Sequence, residues 1–260
     1  MHLFLPRILL VMLFICPVAR AQSTDEQIST LLSVTDIKQE VVQIPDFIAE
    51  EASSPELGFN PDQKEMFLQL MGRAYKPDTI LETVRSYIQQ RYDAEHSSRL
   101  LKSLTSPIAR RMQGIEQAAM SVNDSELDAY VGQMEFNPPS EDRMALIKQY
   151  GEETGKIDIP LDLIVGVMRG FMGVQATSEG LGEDEIEIAI SLMQIDLHED
   201  LQNLFYLKTL YTFRNTPDED LIAYNQLWES EAGKRFVSIS NAGLRKALKK
   251  SADRVGELAK

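Results

Sequence analysis

The sequence has 260 residues, 43% of them hydrophobic and 25% charged, and a mean hydropathy of −0.20. These values argue against a disordered chain and against a multi-span membrane protein. Forty acidic residues against 26 basic ones give a net charge of −14, which argues against a nucleic-acid binder, since that class needs basic surface to neutralise phosphate.

Residues 1–21 read as a cleavable secretory leader. Arg7 is its basic head, the run from Ile8 to Ile15 is its apolar stretch, and Ala19-Arg20-Ala21 is a small-residue cleavage site with cutting expected after Ala21. The apolar run is about 8–11 residues, well short of the roughly 20 that span a bilayer. Leu13-Phe14-Ile15 before Cys16 lacks the small residues of a lipidation site. Cleavage removes Arg7, Arg20 and the single cysteine, leaving a cysteine-free chain of charge −16. That composition fits a Gram-negative periplasm better than a disulfide-stapled extracellular protein. The expected location is periplasmic, and the expected mature protein is not integral to the membrane.

The rest predicts an all-α helical bundle. Residues 61–75 place Met66, Phe67, Leu70 and Met71 on one stripe, and residues 78–92 do the same with Ile80, Leu81, Val84, Tyr87 and Ile88. Asn60-Pro61 and Asn137-Pro138 each read as an N-cap followed by proline at the first helical position. A connecting helix is predicted over Asp124–Met134, capped by Asn123 or Asp124. A further helix is predicted over 141–150. Residues 161–174 are nearly all apolar, but Asp162 and Arg169 interrupt them. They read as a central buried helix in which Gly166, Gly170 and Gly173 admit close neighbours. Glu183-Asp184-Glu185 with Glu187 reads as the acidic opening of a helix. Residues 200–213 carry another stripe. Pro77, Pro160 and Pro217 mark boundaries, and Lys246, Lys249, Lys250 and Arg254 give the last helix a basic stretch that complements its C-terminal dipole.

Shifted by 124 residues, the chain matches itself without a gap over residues 41–112. Eleven positions are identical, among them Val41/Val165, Phe47/Phe171, Leu57/Leu181, Gly58/Gly182, Tyr87/Tyr211, Glu95/Glu219, Ser106/Ser230 and Arg111/Arg235. The expected organisation is therefore two tandem similar repeats, 22–120 and 139–260, joined by 121–138 and packed about a pseudo-twofold axis. Such an arrangement leaves a groove at the junction.

Each repeat closes on a related motif. Leu104 to Met112 contains Ser106, Pro107, Arg110 and Arg111; Leu227 to Phe236 contains Trp228, Ser230, Gly233, Lys234, Arg235 and Phe236. Over residues 200–245 this resembles the bacterial family called domain of unknown function 2059. Members of that family carry an aromatic residue, Ser-Pro-x-Gly and a basic residue near the end of an exported helical protein. Glu231 stands where the family has proline, while Pro107 keeps it in the first copy. The resemblance implies an all-helical periplasmic protein and no chemistry. Physically, Ser106 and Ser230 are N-caps, Pro107 suits the first turn, Glu231 suits the helix dipole, Trp228 and Phe236 are core, and Gly233 permits a close crossing. The basic pairs Arg110-Arg111 and Lys234-Arg235 are the candidate docking points for an acidic protein partner.

No catalytic constellation stands out. His96 and His198 do not fall at equivalent repeat positions or in a zinc-binding spacing, so neither a metal nor a cofactor is expected. Gly151-Glu152-Glu153-Thr154-Gly155-Lys156 is one residue short of a phosphate-binding loop and follows no strand. The matched acids Glu95 and Glu219 are the best candidates for carboxylate catalysis, and capping explains both. The expected function is a non-enzymatic interaction or envelope-associated role. The alternative is a carrier of a small apolar ligand in the groove, favoured by methionine-rich helices. A large apolar cavity at the junction favours the carrier, a flat packed junction favours the interaction role, and buried perturbed carboxylates in a cleft favour an enzyme.

Overall fold

The computed structural model describes residues 23–54, 59–120, 122–179 and 183–258. The leader expected over residues 1–21 lies outside them, as do the repeat pairs Leu57/Leu181 and Gly58/Gly182. Among the described residues the regular structure is entirely helical, and the protein is all-α. The helices are α1 (Thr24–Val34), α2 (Ile37–Glu51), α3 (Pro61–Ala74), α4 (Pro77–Gln89), α5 (Ala94–Leu104) and α6 (Pro107–Ala119), followed by α7 (Asp124–Met134), α8 (Glu141–Thr154), α9 (Asp158–Glu179), α10 (Glu183–Phe213), α11 (Asp218–Glu229) and α12 (Glu231–Leu258).

Local chemistry sets many of these boundaries. Ser23 and Glu26 exchange hydrogen bonds with each other's backbone N–H at the start of α1, and Asn60 and Gln63 do the same at α3. Asp93 accepts from the N–H groups of Glu95 and His96 at 3.0 Å, and Asn123 accepts from Glu126 at 3.0 Å. Pro61, Pro77 and Pro107 occupy first-turn positions, where the missing N–H costs nothing.

Three expectations need correction. Asn137-Pro138 does not start a helix: Pro139 follows, and a residue before proline is pushed out of the helical region. The cap is instead Ser140, which accepts from the Arg143 N–H at 3.1 Å. Residues 200–213 are not a separate helix; they are the last turns of α10, which runs unbroken for 31 residues because no Gly or Pro interrupts it. The basic stretch on α12 lies short of the helix end, whose last turn holds no basic residue. Lys249 pairs instead with Asp253 at 3.1 Å.

α12, about 42 Å long by its 28 residues, is the spine. Its inner face buries Phe236, Leu244, Ala247, Leu248 and Val255 against α3, α4, α5, α8, α9 and α11. Gly166 and Gly170 of α9 allow the close approach read from the sequence. A methyl group on Gly166 would come within 2.8 Å of the Tyr75 hydroxyl, and one on Gly170 within 2.8 Å of Val255.

Under the 124-residue shift some helix spans overlap and others do not: the break between α3 and α4 falls inside the unbroken α10, and α1 falls across the end of α8. α5 maps onto α11, α6 onto the start of α12, α2 onto α9, and α3 with α4 onto α10. The closing helices cross over. α12 packs on α3, α4 and α5, while α6 packs on α10 and α11, their counterparts. The halves differ elsewhere: α12 also lies along α9, a contact that the corresponding α6 and α2 do not make to comparable extent. Among the described residues no helix is long and apolar enough to cross a membrane.

Candidate functional site

A cavity of about 330 Å³ lies where the two halves meet. Its walls come from α2 and α6 of the first half and from the α8–α9 turn, α9, α11 and α12 of the second. Most of the lining is apolar, with Ile44, Phe47, Leu163, Trp228, Phe236 and Leu248 prominent. The volume is roughly twice that of an engineered cavity of about 150 Å³ known to take up benzene.

One part of the wall is charged. Asp36, Glu40, Glu116 and Lys156 all line it. Asp36 stands just before α2 with left-handed backbone (φ 58°), and its carboxylate does not cap the helix. Glu40 lies one turn further on. Lys156 follows Gly155, whose φ of 64° ends α8 and turns the chain into α9. Glu116 reaches in from α6.

Glu116 is fully engaged. It accepts from the Lys156 Nζ at 2.9 Å, from the Tyr224 hydroxyl at 2.8 Å and from the Tyr150 hydroxyl. The two tyrosines are core residues, 1% and 2% exposed, and stack with ring centroids 5.8 Å apart. Burial, then the Glu116 charge, pushes both phenols far above their ordinary range. Burial alone would lower the Lys156 pKa; the Glu116 and Glu40 carboxylates outweigh it and hold the ammonium above its usual value.

Asp36 and Glu40 are different. Among the described residues neither carboxylate accepts a hydrogen bond or joins an ion pair. Burial raises the pKa of each, with Lys156 opposing and Glu116 adding to the rise, and Asp36 adding further at Glu40. Glu40 is reachable by water yet crowded by protein atoms, as befits a carboxylate on the wall of a cavity with an open mouth. Four other polar lining groups are satisfied. Thr35, Gln113, Thr154 and Ser240 each donate to a backbone carbonyl. Among the described residues the Trp228 indole N–H has no acceptor, although the residue is only 6% exposed.

The motif residues fall as follows. Ser106 accepts from the Ala109 N–H at 3.4 Å and Ser230 from the Gly233 N–H at 3.1 Å. Trp228 and Phe236 are buried and also form cavity wall. A methyl group on Gly233 would lie 2.5 Å from the Trp228 carbonyl and 2.6 Å from that of Leu227, so only glycine fits. The basic pairs are not gathered into one patch. Arg111 pairs with Asp220 at 2.5 Å and Lys234 with Glu153 at 3.3 Å. Arg110 and Arg235 are exposed.

The matched acids sit at helix starts away from the cavity. Glu95 pairs with Arg99, and Glu219 is exposed in the first turn of α11. His96 links the halves, lying 3.1 Å from Asp93 and 3.2 Å from Glu231. His198 is exposed on α10.

Asp36, Glu40, Glu116, Lys156, Tyr150 and Tyr224 were not singled out as functional in the sequence. One signal was available: Gly155 ends a helical pattern, which makes it a C-cap and turns Lys156 back towards the core. Comparison with known proteins adds nothing to this geometry, since no family model, no curated protein and no solved structure matches the chain.

Proposed function

We propose that the protein is a binder and carrier of a small, largely apolar molecule held between its two halves. The observation that carries this reading is the cavity of about 330 Å³, walled mainly by apolar side chains from both halves. Pockets of this size and character are the usual sites for small ligands. The leader read from residues 1–21 and the family resemblance of residues 200–245 fit an exported carrier in the periplasm. The competing reading, a protein-interaction or envelope-associated role, rests on Arg110-Arg111 and Lys234-Arg235. Two of those four are already paired within the chain, so the cavity is the stronger basis.

Trp228 makes the test direct, because it is the sole tryptophan and lines the cavity. Titrating the purified protein with 1-octanol should give a saturable, one-to-one change in tryptophan emission and a rise in Tm, by mass action on the folded state. Leu163→Phe, which fills the cavity from α9, should weaken both effects. Unchanged emission and Tm up to the solubility limit of octanol would overturn the reading.

A further inference from the structure

The first half of α10 leaves an apolar stripe in the open. Ile188, Leu192 and Ile195 are 63%, 62% and 70% exposed, and their spacing of four and then three residues puts them on one face. Single exposed apolar residues are ordinary, but a row at this spacing is the pattern by which one helix docks on another. The contacts of α10 with α7 and α8 lie further along it, at Phe205, Leu210 and Tyr211.

The other half of the molecule shows what covers the paired place. Under the 124-residue shift Ile195 pairs with Met71 of α3. Met71 is fully buried under the end of α12: it meets Val255 over Gly170 of α9, and both stand within 2.8 Å of where a methyl group on that glycine would lie. The same shift sets α12, residues 231–258, against α6 and α7, residues 107–134. α12 runs unbroken. α6 stops at Ala119, Asn123 caps a new helix, and α7 turns to Leu210 and Tyr211. The stripe on α10 is left without the helix that α3 has.

Charge says what kind of helix fits. Residues 183–200 hold seven acids and no lysine or arginine. Asp184 and Glu199 are exposed and stand one turn beyond either end of the stripe, on its own face. The part of α12 that covers α3 is of opposite sign: residues 245–258 carry Arg245, Lys246, Lys249, Lys250 and Arg254 against two acids. α7, with Asp124, Glu126 and Asp128, is acidic and is repelled from the stripe. A second copy fits poorly, because its own stripe is equally acidic and its α12 already spends its apolar face inside its own chain. The same acids repel an anionic membrane.

We infer that the face of α10 carrying Ile188, Leu192 and Ile195 is the docking surface for a basic amphipathic helix of a partner protein, laid along it as the end of α12 is laid along α3. The stripe takes the partner's apolar face, and Asp184, Glu199 and the neighbouring acids take its lysines or arginines. None of the three stripe residues lines the cavity, so this surface does not rest on the carrier reading.

The probe is a fluorescein-labelled helical peptide of leucine and lysine, about 18 residues or roughly 27 Å long, with leucines at i, i+3, i+4 and i+7. One control has the same composition in scrambled order, and another has glutamate for every lysine. Anisotropy titrations of the purified protein should show the leucine–lysine helix binding at least about tenfold tighter than either control, and more weakly as salt rises. The triple variant Ile188→Gln, Leu192→Gln, Ile195→Gln changes exposed positions alone, so its Tm should match the parent while its affinity falls at least about tenfold. Met66→Gln, at an exposed apolar residue of α3, should lose none. If the triple variant melts early, the pair Asp184→Lys, Glu199→Lys carries the test, since it leaves the stripe intact and should lose affinity too. Equal binding of the scrambled peptide, or full affinity in the variants, would overturn the inference, because bulk charge attraction then suffices. Tight binding of the glutamate peptide would overturn the choice of a basic partner. A parent dimer that turns monomeric in the triple variant would overturn it in favour of a second copy, and vesicle binding lost in that variant would overturn it in favour of a membrane.

Discussion

Asp36 and Gly155 line the same cavity, and they are the two described residues whose backbone is left-handed. One precedes α2 in the first half and the other ends α8 in the second. The two turns are not equivalent. Glycine adopts this conformation freely, whereas aspartate does so at a cost. Gly155→Ala should therefore destabilise the fold by about 1–2 kcal/mol in urea melts, because alanine in this region is strained. Asp36→Gly should be neutral or stabilising by up to about 1 kcal/mol. A loss of stability on Asp36→Gly would show that the carboxylate holds the fold together.

Gly233 and Gly256 lie on the same helix and should respond oppositely to alanine. At Gly233 the added methyl meets two backbone carbonyls within 2.6 Å, which cannot rotate away. Gly233→Ala should cost about 2–3 kcal/mol, within the range of overpacking. At Gly256 nothing lies within 4 Å, so Gly256→Ala should stabilise by about 0.5–1 kcal/mol through helix propensity. Chemical denaturation of the two variants beside the parent settles the sign of each.

Glu116 is the hub of the polar wall, and removing its charge strands Lys156. Glu116→Gln should destabilise by about 2–3 kcal/mol, near the lower end of the cost of breaking an enclosed ion pair. Pairing it with Lys156→Met should recover much of the loss. A single variant as stable as the parent would mean that Lys156 reaches water without difficulty.

His96 lies between Asp93 of the first half and Glu231 of the second. The nearby carboxylates of Asp93 and then Glu231 raise its pKa above the ordinary value of 6.5, against a smaller opposing effect of burial. Because the folded pKa is the higher one, the histidine's contribution is fully present below about pH 6.5 and fades as pH rises through the raised value. The stability difference between the parent and His96→Gln should shrink on going from pH 6 to pH 9. A difference independent of pH would remove the ion-pair account.

Glu40 titrates the other way round from an ordinary stabilising acid. Its folded pKa is raised from 4.5 by burial, so ionising it weakens the fold as pH climbs from that value through the raised one. The groups that face it are Asp36, Glu116 and Lys156. The Tm of the parent should fall relative to that of Glu40→Gln on going from pH 4 to pH 7. Differential scanning fluorimetry at the two pH values reads this directly.

The helices and several of their ends were legible because their determinants are local. Asn60-Pro61, Ser106-Pro107 and Asn123 are short-range signals, and each acts where the sequence places it. Gly166 and Gly170 could be read as close-approach sites because nothing else justifies glycine in an apolar helix. The continuity of α10 was missed because its apolar residues run round the helix instead of holding one face, so a late stripe looked like a new start. The charged part of the cavity wall was barely legible, with Gly155 as its one local signal. Asp36, Glu116, Lys156 and Tyr224 come from four separate parts of the chain, with no spacing that marks them as partners. Only the crossing of α6 and α12 into opposite halves brings them to one place.

That crossing also bears on how the chain can be made. A ribosome, or a pore passing an extended chain, delivers α3, α4 and α5 long before α12, and these helices bury their inner faces on α12. The first half therefore cannot finish its interior when its own last residue emerges. It must wait, partly uncovered, until the final segment arrives from well over a hundred residues away. Contacts of such long sequence separation slow folding and lengthen exposure to aggregation. Ending the chain after residue 138 should yield an aggregating product, and the two halves supplied as separate polypeptides should become soluble only together.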